Sequence, residues 1–296
     1  MITVIGSLNQ DIVVRVTRHP KPGETVLGKD HFVAAGGKGA NQAVAASRLG
    51  QAVTMVGRVG DDDAGRMLLA GLADDAVDTS GVAVDDGAGT GIDFITVDDQ
   101  AENAIVVSPG ANGRMSAADV DRAAAAVSEA VVVLLQLEVP LDAVSRAATL
   151  ATGVVMLDPA PARALPQELL SRVDVLVPNR SELGVLAGQP EPTTTGDVLA
   201  AARTLRGPDA IVVTLGAEGA LVLRGGEPPV AVAAPVIEPV DTVGAGDAFC
   251  GALADGLARG QDLVAACRRA VVAGAIAATR PGAQPSLPTA AEVQAA

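Results

Sequence analysis

From Ser116 onward, helical and strand-like patterns alternate without a break, and this alternation limits the possible folds more than any other feature of the chain. A helical segment reaching Ala130 precedes a β-rich run at 131–135, a helix after Pro140, and strands at 154–157 and 173–177. Helices at 180–187 and 197–205 and a strand at 210–214 continue the series. Repeated βαβ units close on a mainly parallel sheet with helices on both faces. Ligands of such sheets sit beyond the carboxyl ends of the strands. Polar residues cluster at those ends here: Gln136 and Glu138, Asp158, Asn179 and Glu182, Thr214 and Gly216. Together they predict a binding rim along one sheet edge.

The amino-terminal part adds a second pattern. A β-rich run at 2–6 is followed by polar Asn9 and Asp11 and by another run at 12–16. Taken alone, Asn9 and Asp11 are equally ligand groups leaving a buried strand or parts of an Asx turn. Residues 25–34 form a weak strand pattern, and runs at 91–97 and 103–107 flank a polar turn at 98–102. These pieces predict a small sheet, about 12–35 and 91–108, lying over the site as a lid on a single domain of residues 1–296.

Two glycine-rich stretches each open a helical run. Gly36, Gly37 and Gly39 surround Lys38 ahead of Ala40, Asn41 and an alanine-rich segment. Gly39 follows the lysine where a phosphate-binding P-loop needs Ser or Thr, and no G-x-G-x-x-G opens the first helix. What remains is close backbone approach to a small polar ligand, with Lys38 and Asn41 as donors. The second stretch, Asp241-Thr-Val-Gly-Ala-Gly-Asp247, has glycines at 244 and 246 and a carboxylate in the first turn of the apolar helix that follows. Unpaired amides at a helix start suit an anion. By itself the stretch is equally an ordinary cap or a phosphate-handling turn.

Composition narrows the function. A net charge of −14 argues against nucleic acid or an anionic membrane as partner, and three Phe with no Tyr or Trp leave little for base stacking. No apolar run approaches the roughly 18 residues of a membrane span, and Met1 leads directly into a strand without a basic leader region, so a cytoplasmic protein is expected. Cys250 and Cys267 lie in separate apolar patterns and are expected as reduced core residues.

Asn9-x-Asp11, the 36–41 glycine cluster, Asn179-x-x-Glu182 and the 241–247 stretch, in this order, closely resemble the signatures of the ribokinase family, the PfkB-type carbohydrate kinases. The resemblance covers nearly the whole chain and extends to Pro22-Gly-Glu-Thr25, Gln136-Leu-Glu138, Asp158-Pro-Ala-Pro-Ala162 and Gly282-Ala-Gln-Pro-Ser286. It implies a ribokinase-like three-layer α/β/α fold and ATP-dependent phosphorylation of D-ribose on its 5-hydroxyl. By the same resemblance Asn9, Asp11, Gly36, Gly37, Lys38, Asn41 and Glu138 hold the sugar, and Asp247 is the general base beside a Gly244-Ala245-Gly246 anion hole. Asn179, Thr214, Gly216, Gly219, Gly246 and Val271 would line the ATP site, with Glu182 orienting Mg²⁺ through water. Asp241, Ser286 and the carbonyls of Val243, Ala277, Arg280 and Gly282 match a K⁺-binding loop. A homodimer through the lid is also implied.

Two positions depart from the family pattern. Asp93 stands where a small apolar residue usually meets the sugar, and Val271 where a polar residue often lies near adenine; Val107 keeps the aliphatic lid contact. Asp93 leaves a related sugar or nucleoside kinase as the alternative, with a non-catalytic sugar-binding regulator as a third reading.

Overall fold

The computed structural model describes residues 1–100 and 102–296; Ala101, inside the 98–102 turn, lies outside them. Among the described residues, thirteen strands form two sheets. They are β1 (Ile2–Ile5), β2 (Asn9–Arg15), β3 (Asp30–Gly36), β4 (Val53–Gly60), β5 (Val77–Asp85), β6 (Gly91–Val97), β7 (Asn103–Ser108), β8 (Val132–Leu135), β9 (Val154–Leu157), β10 (Val175–Leu176), β11 (Ala210–Thr214), β12 (Ala220–Arg224) and β13 (Val230–Val232). The main sheet has the order β13-β12-β11-β10-β9-β8-β1-β4-β5. All its neighbours are parallel except β11–β12 and β12–β13.

Strand β1 lies inside the sheet, third from the β5 edge, because all four of its residues are apolar or can be satisfied when buried. Ile2 and Val4 join a core on one face with the Lys38–Arg48, Asp63–Asp74, Ala245–Ala258 and Leu263–Ala278 helices. Ile5 joins a second core on the other face, under Leu141–Leu150, Arg180–Ala187 and Thr195–Ala202. The Thr3 hydroxyl donates to the Ala126 carbonyl at 2.7 Å. This is the three-layer α/β/α arrangement expected of βαβ repetition. The chain runs outward from β1 through β4 to β5, then restarts on β1's other side at β8. That reversal beside β1 creates a crevice at its carboxyl end.

The small sheet has the order β3-β2-β6-β7 and grows out of that same end. Asn9 and Asp11 are paired residues of β2, in register with β3 and β6, so the Asx-turn alternative fails. The weak 25–34 pattern yields a strand only from Asp30. The helix expected up to Ala130 is broken at Ala123 into Ala117–Arg122 and Ala124–Ser128. The strand expected at 173–177 is hydrogen-bonded as a ladder only at Val175–Leu176. Strands β5, β12 and β13 carried no sequence expectation. Both cysteines are free and buried, with burial pushing the Cys267 thiol up to about 12. No helix among the described residues is long and apolar enough to cross a membrane.

Candidate functional site

The glycine positions explain how the site is assembled. Gly37 has φ +87°, and a Cβ there would stand 2.7 Å from the Asn9 amide nitrogen; one at Gly39 would be 2.7 Å from the carbonyl carbon of Gly6 and the amide of Ser7. Only bare backbone lets the Lys38–Arg48 helix start against the end of β1. Farther along, a Cβ on Gly251 would lie 2.5 Å from that of Ala45, so the Ala245–Ala258 helix presses closely on the Lys38–Arg48 helix. This crossing delivers Asn41 and Gln42 to Asp247.

Asp247, buried in the first turn of the Ala245–Ala258 helix, accepts from Asn41 Nδ2 at 2.9 Å and Gln42 Nε2 at 3.0 Å. Gln42 Nε2 also donates to Asp158 at 2.8 Å, while Gln42 Oε1 accepts from Gln136 Nε2 at 2.6 Å. The Gln136 bond fixes the orientation of the Gln42 amide. Both carboxylates therefore face a nitrogen that can only donate. Burial, with Glu182 and Asp247 nearby, lifts Asp158 to about 7.

The small sheet supplies a second carboxylate pair. Asp11 and Asp93 are directly opposite each other on β2 and β6, and Val107 continues the row on β7. Asp11 Oδ1 is buried without a hydrogen-bond partner, as is Asn41 Oδ1. Unpaired buried acceptors of this kind call for donors from a ligand. Burial, then Asp93, Glu138 and Asp247, raise Asp11 to about 7. Glu138 accepts from the Ser7 hydroxyl and from the Lys38 backbone amide, the latter at 3.1 Å. Burial favours a neutral Lys38, but the field of Asp158, Asp247, Glu138 and Glu182 outweighs it and pushes the ammonium well above the ordinary lysine range.

A different row of polar groups borders the site farther along the sheet. Asn179 caps the Arg180–Ala187 helix by accepting from the Glu182 amide at 2.8 Å, and Glu182 returns the bond to the Asn179 amide at 2.7 Å. An isolated parallel bridge joins Asn179 to Thr214. Gly216 and Gly219, both at positive φ, form the turn after β11. Val271 is buried in the core on the Leu263–Ala278 helix, where its side chain adds to apolar packing.

The two loops around Asp241 are tied together by its carboxylate, which accepts from the Val243 amide at 2.9 Å and the Gly282 amide at 2.8 Å. Ser286 is fully buried beside them and donates to the Ala283 carbonyl at 2.7 Å. Gly244 takes φ +77° as the cap residue, with Ala283 backbone directly against it. The Ala245 amide turns to the Thr242 carbonyl at 3.2 Å and that of Ala248 to Gly244 at 2.8 Å. Among the described residues no acceptor takes the Gly246 amide, which is left for an anion at the helix start.

Sequence reasoning gave no role to Asn112, Ser7 or Gln42, and placed Gln136 only in the polar rim. Asn112 exchanges two 3.0 Å hydrogen bonds with the Leu8 backbone and donates to Asn9 Oδ1 at 2.7 Å. Gln42 had an available signal: a long polar side chain, fully buried, on an otherwise alanine-rich helix face. A concavity of about 530 Å³, with Arg203, Arg206, Asp209 and Arg224 in its lining, lies at the amino end of β11 and contains none of these groups.

The arrangement thus places unpaired acceptors over a glycine-lined floor, with a carboxylate at a helix start and a polar rim beyond it. It suits transfer of an anionic group to a polyhydroxyl molecule. The model of the pfkB family of carbohydrate kinases matches residues 1–290. A ribokinase of Haemophilus influenzae is 38% identical over 97% of this chain and 95% of its own. A deoxyribokinase of Salmonella typhimurium is also 38% identical, again over 97% and 95%. The structure of Arabidopsis thaliana ribokinase, solved with ribose and ATP, superposes with TM-score 0.90 and 32% identity over 99% of this chain and 97% of that one. With this fold, this site and a match along nearly its entire length, the chain belongs to the PfkB family of ATP-dependent carbohydrate kinases.

Proposed function

We propose that the protein transfers the γ-phosphoryl group of ATP to the 5-hydroxyl of D-ribose, forming ribose 5-phosphate and ADP. The observation that carries this reading is the pair of unpaired buried acceptors, Asp11 Oδ1 on the small sheet and Asn41 Oδ1 on the side chain that donates to Asp247. A pentose offers donors along its length to satisfy them. Asp11, Gly36, Gly37, Lys38, Asn41 and Glu138 bind the sugar, with Asn9 acting through the Asp93 carboxylate that its nitrogen holds and Val107 packing against the sugar from β7. The small sheet, carried on β2 and β6, acts as the lid of one kinase domain.

Asp247 accepts the proton of the primary hydroxyl as it attacks phosphorus. The turn of Gly244, Ala245 and Gly246 steadies the transferred charge, chiefly through the Gly246 amide. Asn179, Thr214, Gly216, Gly219 and Val271 border the nucleotide. Glu182 fits Mg²⁺ held through water, because one of its oxygens is already engaged by the Asn179 amide. A magnesium ion held there would neutralise phosphate charge. The hard oxygen set of Asp241, Ser286 and the carbonyls of Val243, Ala277, Arg280 and Gly282 fits K⁺, since the Asp241 carboxylate already draws both loops together. A potassium ion held by these groups would supply fixed positive charge behind the helix start.

An ADP-release assay over pentoses, hexoses and nucleosides with Mg²⁺ tests the reading: D-ribose gives the highest kcat/KM, and a preferred hexose or nucleoside overturns it. Replacing K⁺ by Na⁺ lowers the rate, and equal rates remove the cation loop from the mechanism. Sugar binding should also depend on pH. Hydroxyl donors prefer ionised Asp11, so affinity is flat above about pH 7.5 and weakens by up to about tenfold per unit as pH falls below about 7, measured by calorimetry. A homodimer forms through the outer face of the small sheet, where Val33, Phe94 and Val106 are exposed in one register row. Sedimentation equilibrium returning only monomer excludes it. Two free, buried cysteines accord with a reducing, cytoplasmic setting.

A further inference from the structure

Relatives named ribokinase and deoxyribokinase are equally similar to this chain, so overall identity does not choose between a sugar with and without a 2-hydroxyl. The small sheet makes that choice. We propose that Asp93, paired across β2 and β6 with Asp11, reads the end of the pentose remote from the reacting hydroxyl and makes the site require a hydroxyl donor on C2. This rests on the reading of the protein as a pentose 5-kinase. Its substance is a specificity determinant outside the machinery of phosphoryl transfer.

The position of Asp93 follows from the register. Asp11 and Asp93 are side by side on one face of neighbouring parallel strands, so their carboxylates open into the same part of the cleft. The Asp11 carboxylate lies directly over Gly36, where an added Cβ would be 2.1 Å from Oδ1. With the primary hydroxyl of an aldopentose at Asp247, the hydroxyls on C1 and C2 are farthest from it and reach this pair.

The state of Asn9 makes Asp93 the reading group. Asn112 donates to Asn9 Oδ1 at 2.7 Å, which fixes which end of the Asn9 amide carries the nitrogen. That nitrogen donates to both carboxylate oxygens of Asp93, each at 3.0 Å. Gly91 leaves the room for this chain of contacts, since a Cβ there would be 2.3 Å from both Asn9 Oδ1 and Asn112 Nδ2. Asn9 therefore has its oxygen engaged by Asn112 and its nitrogen turned to Asp93. What the sugar meets beside Asp11 is a held carboxylate that, once ionised, only accepts.

Two adjacent carboxylates in a partly dry site need protons from somewhere. Burial and Glu138 raise Asp93 to about 6 even with the Asn9 bond working against them, and Asp11 stands at about 7. Near neutral pH the free pair holds part of a proton. Neighbouring hydroxyls on the sugar donate one hydrogen to each carboxylate and take that proton's place. A 2-deoxy sugar presents CH₂ to one of them and leaves a desolvated acceptor without a donor. Sites built around a substrate hydroxyl discriminate against its absence by roughly 10⁴–10⁵-fold. Because Asp93 is only half-buried, we expect less than this, about 10³-fold in kcat/KM for D-ribose over 2-deoxy-D-ribose.

The test compares these two sugars with wild-type protein, Asp93→Ala and Asp93→Asn. Asp93→Ala should shrink the ribose preference at least about 30-fold, through a raised KM for ribose with kcat within about threefold, since the Asp247 end is untouched. Asp93→Asn, which keeps one acceptor oxygen, should fall between. Calorimetry in buffers of different ionisation enthalpy should show proton release on ribose binding that diminishes in Asp93→Ala. A wild-type protein that uses both sugars equally, or a preference unchanged in Asp93→Ala, overturns the proposal. A loss of kcat for both sugars alike makes Asp93 structural and overturns it as well. Turnover of neither pentose, with a hexose or nucleoside accepted, overturns instead the pentose reading on which the proposal stands.

Discussion

Asp247→Asn lowers kcat by roughly 10²–10⁴-fold, the usual range for loss of a general base, while sugar affinity without nucleotide changes far less. The direction follows from who surrounds the carboxylate. Asn41 Nδ2 and Gln42 Nε2 both donate to it, and Gln136 fixes the Gln42 amide so that it cannot turn its oxygen inward. Asparagine at 247 presents its oxygen to one donor and its own NH₂ to the other, and it cannot take a proton from the attacking hydroxyl. On the proposed reading the sugar keeps its other partners along β2 and at Glu138, so binding should be largely retained. The facing donors cost about 1–3 kcal/mol, so the melting temperature falls modestly. Turnover within tenfold of wild type would exclude Asp247 as the base, whatever the change in stability.

The parts of this site that were legible in the sequence share one property: their chemistry is local. Glycines 36, 37 and 39 around Lys38, the glycine-flanked start before Asp247, and Asn179 three residues before Glu182 each mark a helix start whose residue types follow from capping and close approach. The βαβ alternation gave the parallel sheet and its functional edge for the same reason. The residues that escaped act across long separations. Asn112 reaches Leu8 over 104 residues, and Gln42 joins Asp158 and Asp247 over 116 and 205. No periodicity or spacing encodes such pairings. Strand boundaries failed where backbone pairing overrode residue preference. Asn9 and Asp11 favour turns, yet β2 pairs on both sides with β3 and β6, and those ladders hold both residues in extended backbone. Ala123 interrupts an otherwise helical stretch with φ −100°. Alanine favours helix, and the structure gives us no local reason for the break.

Lys38→Met should lower kcat/KM at neutral pH by about 100-fold or more, with the deficit growing as the solution is acidified. Lys38 is the cation whose field reaches Asp158, Asp247, Glu138 and Glu182 together. Its ammonium stays charged because these four outweigh the burial that favours the neutral amine. Removing it leaves the carboxylates with one another, and Asp158, Asp93 and Glu182 then ionise at higher pH than before. Asp158 and Asp93, already at about 7 and about 6, both lose a contribution that holds them down. Activity that needs ionised carboxylates is consequently reached later in a titration, so its acid limb moves up by roughly one unit or more. Stability responds with a definite sign. An acid whose folded pKa is raised is most favourable to the fold below its unfolded pKa near 4, and that contribution is lost as pH rises through the folded value. Lys38→Met should therefore melt close to wild type at about pH 5 and progressively lower at about pH 8, while Lys38→Arg, which keeps the charge, tracks wild type in stability across that range. A variant with an unshifted acid limb and a pH-independent melting deficit would mean that Lys38 contributes packing alone and that the carboxylates are balanced by another group.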